Sequence, residues 1–188
     1  MPEPDHPLYQ IGTGILGWDL WREQEVTPPD VLRPLGDDLR AWVGAAHIYG
    51  LHATIGDALD YTVDDLPEIE AELRAIAATA TPFTLTGGRI HHGFRSGHRA
   101  VVATFDSAEG AVQRLEEQVV TRTNARHRVS PNFGPDLGNY SGLAREHLQQ
   151  FGSPMVRSLF DLHFSLATSV PNVECRLRLV QIVETDLG

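Results

Sequence analysis

The sequence predicts an α+β fold with a largely antiparallel sheet, and three features of the residue pattern support this class. Apolar runs typical of strands are interspersed with stretches whose apolar residues recur every three or four positions, as in helices. Two strands are joined only by a short turn at 95–98, which indicates a hairpin. The 188 residues contain no low-complexity tract or long linker, and they suffice for one domain or for two small lobes that share a core. Mixed strands and helices with hairpins favour the α+β class.

Six strands are predicted from apolar runs, or from alternation of apolar and polar residues, between turn signals. Glycines punctuate the first of these runs, and the last run alternates along its whole length. A period of two places successive side chains on opposite faces of each strand. The strands are expected over 8–20, 49–59, 82–94, 99–106, 160–170 and 173–185.

Three helices are predicted from apolar stripes at helical spacing that follow capping residues. The first helix follows Asp30, with its start delayed by Pro34, and the third opens at Ser107. A loop-rich insert at about 126–159 comes next and has room for a short helix after 141. The three stripes consist of Leu32, Leu35, Leu39, Trp42 and Val43, of Leu66, Ile69, Leu73, Ile76 and Ala77, and of Ala111, Leu115, Val119 and Val120.

Composition and charge restrict the classes of partner. The chain carries 15 basic and 25 acidic residues, and its formal net charge of −10 repels an extended DNA or RNA backbone. Its single cysteine, Cys175, allows no disulfide within the chain, which fits a reducing compartment. The N-terminal residues lack the apolar segment of a signal peptide, and no apolar run reaches the roughly 20 residues of a membrane span. We therefore expect a cytoplasmic protein without a membrane or extended nucleic-acid partner, and the oligomeric state stays open.

One short pattern occurs twice, each time on a predicted strand. In "LHATI" the residues His52 and Thr54 are two apart, and in "LHFSL" the residues His163 and Ser165 have the same spacing. Residues two apart on a strand share a face, so each pattern sets an imidazole beside a hydroxyl. One such pair is commonplace on a half-exposed strand. Two pairs with matching flanks, in opposite halves of the chain, indicate a functional site.

The two patterns resemble the signature of the two-histidine (2H) phosphoesterases, a pair of His-x-Thr/Ser motifs that are each followed by an aliphatic residue. The element order is similar over about 8–185, and "YGLHATI" is most similar to the subgroup encoded near phosphonate-metabolism genes. The resemblance implies two pseudo-symmetric lobes, each with one motif, whose antiparallel sheets form a central cleft with helices outside. Where that subgroup has a Lys-Pro-Pro-like turn, this sequence has "GDALDY", so its substrate contacts are expected to differ.

The resemblance also implies a metal-independent enzyme without a cofactor that acts on a small cyclic phosphodiester, such as a 2′,3′-cyclic nucleotide or a sugar cyclic phosphate. His52 and His163 would divide the work of general base and general acid, because both forms of imidazole are accessible near neutral pH. Which histidine takes which role stays open. The hydroxyls of Thr54 and Ser165 would donate to the non-bridging phosphate oxygens, whose charge rises in the transition state.

Two further residues are weaker candidates for contacts with the substrate. Tyr49 lies three positions before His52, which places it on the other strand face unless Gly50 forms a bulge. Arg145 belongs to the insert, where an arginine on a lid over the site and an arginine on a solvated loop are equally compatible with the sequence.

Alternative functions also stay open. His91, His92 and His98 could suggest a metal, but neighbouring residues of a strand point to opposite faces, and no zinc motif supports the idea. The same site in a binding module would hold a phosphorylated ligand without converting it. A biosynthetic enzyme could also reuse the scaffold for different chemistry, because a fold does not determine function.

Overall fold

The protein is described from a computed structural model over residues 1–56, 60–92, 99–124 and 140–187. Helices and short antiparallel strands are mixed along the chain, so the predicted α+β class is confirmed. The predicted turn at 95–98 and the first part of the insert, 126–139, lie outside the described residues. Among the described helices, none combines the length and the apolar character that a membrane span requires.

Six α-helices and five strands form the described part of the chain, together with several 3₁₀ turns. The helices are α1 (Pro7–Leu16), α2 (Asp37–Val43), α3 (Leu66–Thr79), α4 (Ala111–Thr123), α5 (Gly142–Phe151) and α6 (Val173–Leu187). The strands are β1 (Trp18–Asp19), β2 (Gln24–Glu25), β3 (Leu85–His92), β4 (Val101–Ser107) and β5 (His163–Ala167). Strands β1 and β2 form a two-stranded antiparallel sheet, and the other sheet has the order β3-β4-β5, with β4 in the middle.

The chain divides into two compact units. The first unit consists of Met1–Ala53, Gly87–Asp106 and His163–Gly188, and the second consists of Thr54–Thr86 and Ser107–Leu162. In the first unit α1 packs against α2, α6 and β5. In the second unit α3 packs against α4.

The predicted strand at 8–20 is wrong, because most of this segment forms α1. Pro7 occupies the first turn, and the Nδ1 atom of His6 accepts a hydrogen bond of 3.1 Å from the Leu8 amide, which caps the helix. Buried apolar residues at helical spacing, including Leu8, Ile11 and Ile15, face the core. Gly17 ends the helix with a φ of 77°, a left-handed conformation that glycine adopts without strain. Only β1 remains of the predicted strand.

The predicted strand at 173–185 is also wrong, because this segment forms α6. The Oδ1 atom of Asn172 accepts a hydrogen bond of 2.9 Å from the Cys175 amide and so satisfies the start of the helix. Leu179 and Val183, four positions apart, are fully buried, which is the spacing of one helix face. The alternating pattern of the sequence therefore also contains a helical stripe, and packing against α1 selects the helix.

The predicted strand at 49–59 is largely wrong as well. A 3₁₀ turn covers Gly44–Tyr49, and among the described residues of this segment only Ala53 pairs with another strand, in an isolated bridge. Gly50 separates the two with a φ of 58°, which interrupts extended backbone. Residues 57–59 lie outside the described residues.

The remaining predicted elements are confirmed. A 3₁₀ turn at Asp30–Leu35 contains Pro34, and α2 begins only at Asp37, as the proline predicts. Six further elements lie where the sequence predicts them. They are the strands β3, β4 and β5, the helices α3 and α4, and the short helix α5 within the insert. All five residues of the first apolar stripe are buried, whereas in α3 only Ile76 is.

A buried carboxylate, that of Asp19, holds the turn after α1. The Tyr9 hydroxyl and the Trp21 amide donate to its Oδ1 atom over 2.8 and 2.9 Å. Arg22 adds its amide and an ion pair of 2.8 Å. Burial, the largest single influence, acts to raise the pKa of Asp19, but these hydrogen bonds together outweigh it and hold the pKa below its ordinary value.

The second unit also contains a buried carboxylate, Glu116 of α4. Its Oε1 atom accepts a hydrogen bond of 2.8 Å from the Arg157 amide. Burial raises the pKa of Glu116, and the hydrogen bond and charge of Arg157 offset only part of that rise. The charged form of Glu116 therefore costs free energy in the folded state.

Candidate functional site

The segment that carries His52 is anchored by the residue before it. Leu51 is fully buried against α1 at Gly12, where a Cβ atom would lie 2.7 Å from both Leu51 Cδ atoms. The absence of a side chain at Gly12 thus lets Leu51 approach the helix closely. His52 itself is exposed, so the backbone is fixed while the imidazole remains accessible.

Strand β5 presents its histidine and its serine on one face, as the sequence predicts. Phe164 and Leu166 are buried, whereas His163 and Ser165 are half-buried. Phe164 packs edge-to-face on Phe105, with ring centroids 5.8 Å apart, which secures the buried face in the core.

One backbone pairing brings the two motifs together. Ala53 forms an antiparallel bridge with Phe164. In antiparallel pairing the neighbours of a bridged pair also oppose each other, so His52 stands opposite Ser165. His163 takes the diagonal position, and diagonal neighbours in such pairs lie about 7–8 Å apart. The bridge therefore sets both histidines and Ser165 on the face away from Ala53 and Phe164.

The ring of His52 is oriented by its own backbone. Its Nδ1 atom lies 3.1 Å from the carbonyl oxygen of Gly50. Because a carbonyl only accepts, Nδ1 carries a proton in this contact, and Nε2 is the nitrogen left for a ligand. Gly50 combines a φ of 58° with a ψ of −175°, a conformation that is essentially confined to glycine. A Cβ atom on Gly50 would also lie 2.4 Å from Leu20 Cγ, so the residue has to be glycine.

A pocket of about 340 Å³ opens beside these residues, within the first unit. This volume lies at the lower end of the range for small-molecule sites. No carboxylate is among the lining residues in the described ranges. The lining consists of Ala46, Tyr49, Gly50, His52, Ser165 and Thr168.

The pocket unites three of the predicted site residues, namely Tyr49, His52 and Ser165. Tyr49 is 61% exposed and ends the 3₁₀ turn at Gly44–Tyr49, so its expected position on a strand face is wrong although it lines the pocket. His163 shares the face of Ser165 but does not line the pocket.

Two predicted site residues belong to the second unit. The second unit begins at Thr54, whose side chain is exposed. Arg145 is exposed on α5. Both histidine rings belong to the first unit, whereas the resemblance implies one motif from each lobe.

The histidines outside the motifs do not form a cluster in the described ranges. His91 and His92 are consecutive, exposed residues at the end of β3, and His98 lies outside the described residues. No group of three or more His, Cys, Asp or Glu side chains among the described residues could hold a metal ion.

Three lining residues are not among the site residues predicted from the sequence, namely Ala46, Gly50 and Thr168. The available signal for Gly50 is its place directly between Tyr49 and the first motif. For Thr168 the signal is a hydroxyl residue just beyond β5, the strand of the second motif. Neither signal separates a site residue from an ordinary turn, because the pocket joins segments that are distant in sequence.

Comparison with models of known families, with curated proteins and with solved structures finds no match to this chain. The function is therefore inferred from the chemistry of the site. An imidazole with an available Nε2 atom and a serine hydroxyl line one pocket, and a second imidazole lies diagonally across the pairing. Such groups can accept a proton, donate a proton and hydrogen-bond an anionic oxygen.

Proposed function

We propose that the protein is a phosphoesterase that hydrolyses a small cyclic phosphodiester by general acid–base catalysis with His52 and His163, without a metal ion or another cofactor. The antiparallel bridge between Ala53 and Phe164 is the observation that supports this proposal most, because its register sets both imidazoles on one face. Proton transfer by two groups requires that both reach the same substrate, and diagonal strand positions about 7–8 Å apart are within reach of two long side chains.

In the proposed reaction a water oxygen attacks phosphorus while one ester P–O bond of the ring breaks. The neutral histidine accepts the proton that the water loses, and the protonated histidine gives its proton to the leaving ester oxygen. The product is an open phosphomonoester with one new hydroxyl group. Ser165 donates to a non-bridging oxygen as its charge rises.

The proposal includes the arrangement that the resemblance implies, with two pseudo-symmetric lobes, a central cleft and helices outside. In that arrangement Thr54 would supply the second hydroxyl donor, and Arg145 would supply a positive charge to the phosphate. The proposal also includes a cytoplasmic location, where small phosphorylated metabolites are abundant substrates.

The test is turnover of 2′,3′-cyclic mononucleotides with a chelator present, measured across pH. A bell-shaped pH profile is expected, and His52→Ala and His163→Ala should each lower the rate by about 10²–10⁴-fold. The double variant should lose much less than the product of the two losses, because the two groups act as a unit. His91→Ala and His92→Ala are matched controls, since both side chains are exposed on β3 outside the pocket.

Two outcomes would contradict the mechanism, namely activity that vanishes with the chelator and activity that survives loss of both His52 and His163. Saturable binding without turnover, with affinity that changes monotonically with pH, would favour a binding module for phosphorylated ligands. Binding without hydrolysis of any cyclic phosphodiester, but with conversion of another phosphorylated compound, would favour a biosynthetic enzyme on the same scaffold.

A further inference from the structure

Besides Tyr49 and Ser165, the pocket contains a third hydroxyl residue, Thr168, whose position is fixed by α2. The amides of Thr168 and Ser169 both donate to the carbonyl oxygen of Trp42, over 3.1 and 2.8 Å. The Thr168 hydroxyl donates to the carbonyl oxygen of Val43 over 3.0 Å. These three bonds tie the segment after β5 to the end of α2 and hold the Thr168 side chain in one orientation.

The bond to Val43 decides what Thr168 can offer a ligand. A hydroxyl has one proton and two lone pairs, and a carbonyl oxygen can only accept. The proton of Thr168 Oγ1 is therefore committed to Val43, and only lone pairs remain. Ser165 differs, because its hydroxyl has no hydrogen-bond partner among the residues that the structure describes. Its proton is thus available to the pocket.

Besides the phenol of Tyr49, the pocket consequently has two aliphatic hydroxyls, those of Ser165 and Thr168, which are of opposite character. The non-bridging oxygens of a phosphodiester only accept hydrogen bonds, so they suit Ser165 and are disfavoured beside the lone pairs of Thr168. A ligand that fills both positions needs an acceptor at one and a donor at the other. The pocket volume of about 340 Å³ exceeds what a phosphate group alone would occupy.

We infer that Thr168 is a specificity-determining residue that accepts a hydrogen bond from a free hydroxyl of the substrate. The sugar and nucleoside cyclic phosphodiesters that the resemblance implies have such a hydroxyl, whereas a simple alkyl phosphodiester has none and is excluded. This inference rests on the proposed function, because it assumes that the phosphodiester group lies at Ser165 and the histidines. One neutral hydrogen bond of this kind changes Kd by roughly two- to twelvefold.

The test compares ligands that differ by one hydroxyl. A 2′,3′-cyclic mononucleotide is paired with its 5′-deoxy analogue, and a 3′,5′-cyclic mononucleotide is paired with its 2′-deoxy analogue. Kd is measured by calorimetry in the His163→Ala background, where hydrolysis is too slow on the proposed mechanism to consume the ligand. Three substitutions are added to this background one at a time. Thr168→Val keeps the shape of the side chain and removes the acceptor, and Thr168→Ser keeps the hydroxyl. Ser169→Ala changes a neighbour outside the pocket and serves as the control.

We expect a preference of roughly two- to twelvefold for the hydroxyl form in at least one pair. Thr168→Val should abolish the preference while leaving Kd for the deoxy ligand unchanged, and the serine and Ser169→Ala variants should keep it. A preference that persists in Thr168→Val, or that is missing in both pairs without the added substitution, would overturn the inference.

Turnover by the wild-type protein distinguishes failure of the inference about Thr168 from failure of the proposed function. Hydrolysis without any hydroxyl preference removes the inference alone, and a Thr168-dependent preference without hydrolysis removes the proposed function alone. If no ligand binds or reacts, both are wrong.

Discussion

Replacing Gly50 with alanine is expected to damage the fold and the site together. The glycine has a φ of 58° and a ψ of −175°, and holding an alanine in such a conformation costs about 1–3 kcal/mol. The new Cβ atom would lie 2.4 Å from Leu20 Cγ, and overpacking a well-packed core costs typically about 1–3 kcal/mol more. The sum, about 2–6 kcal/mol, is a large part of the roughly 5–15 kcal/mol that stabilise an ordinary domain. Relief of the clash also displaces the carbonyl that orients His52.

Denaturant unfolding measures the loss, and Gly36→Ala is the matched control. Gly36 has a similar conformation, with a φ of 52° and a ψ of −138°, but among the described residues beyond its two chain neighbours nothing lies within 4 Å of a Cβ atom added there. The control should lose only the backbone contribution of about 1–3 kcal/mol. Leu20→Ala, added to Gly50→Ala, should recover part of the packing contribution. Equal losses at Gly50 and Gly36, or no recovery on shortening Leu20, would refute the steric argument.

Three further outcomes are expected in the same unfolding assay. Tyr9→Phe removes the hydroxyl that donates to Asp19, which should cost about 1.5–3 kcal/mol at neutral pH. Because the pKa of Asp19 is lowered by folding, its contribution is present at neutral pH and is lost as the pH falls below its ordinary value of 3.8, so the variant should approach the wild type there. Gly12→Ala should lower the free energy of unfolding by about 1–3 kcal/mol through overpacking against Leu51, and the better helix propensity of alanine should offset about 1 kcal/mol of this loss. A net gain in stability would contradict this packing. Glu116→Gln should stabilise the folded protein above pH 7, and this gain in stability should shrink towards pH 4, because folding raises the pKa of this carboxyl above 4.5. A gain that does not change with pH would show that the charge of Glu116 is not the cause.

The sequence predicts the fold best where its pattern has one interpretation. The stripe from Leu32 to Val43 fits only a helix, and all of it is buried. The two segments that form α1 and α6 satisfy both a strand and a helix pattern, and burial against neighbouring elements decides between them. Local capping at His6 and Asn172 carries the missing signal, but it is weak beside a long apolar run.

The same distinction applies to the candidate site. The shared face of His163 and Ser165 follows from the period of a strand, and the structure confirms it. The position of His52 depends on a single bridge to a segment far along the chain. Whether the Thr168 hydroxyl can donate a hydrogen bond to a ligand depends on a carbonyl of α2. No local pattern encodes such contacts, because they arise only when distant segments pack together.

The division of the chain into interleaved segments has a consequence for how the protein is made. The first unit includes Met1–Ala53 but needs His163–Gly188 for β5 and α6, whereas the last residue of the second unit is Leu162. During synthesis on the ribosome, α1 and α2 therefore emerge long before the partners that cover them. Their apolar faces stay exposed until the whole second unit has been synthesised and can fold. The pocket beside His52 is thus completed only after Ser165 and Thr168 have been synthesised, and a nascent chain arrested before His163 would lack both residues.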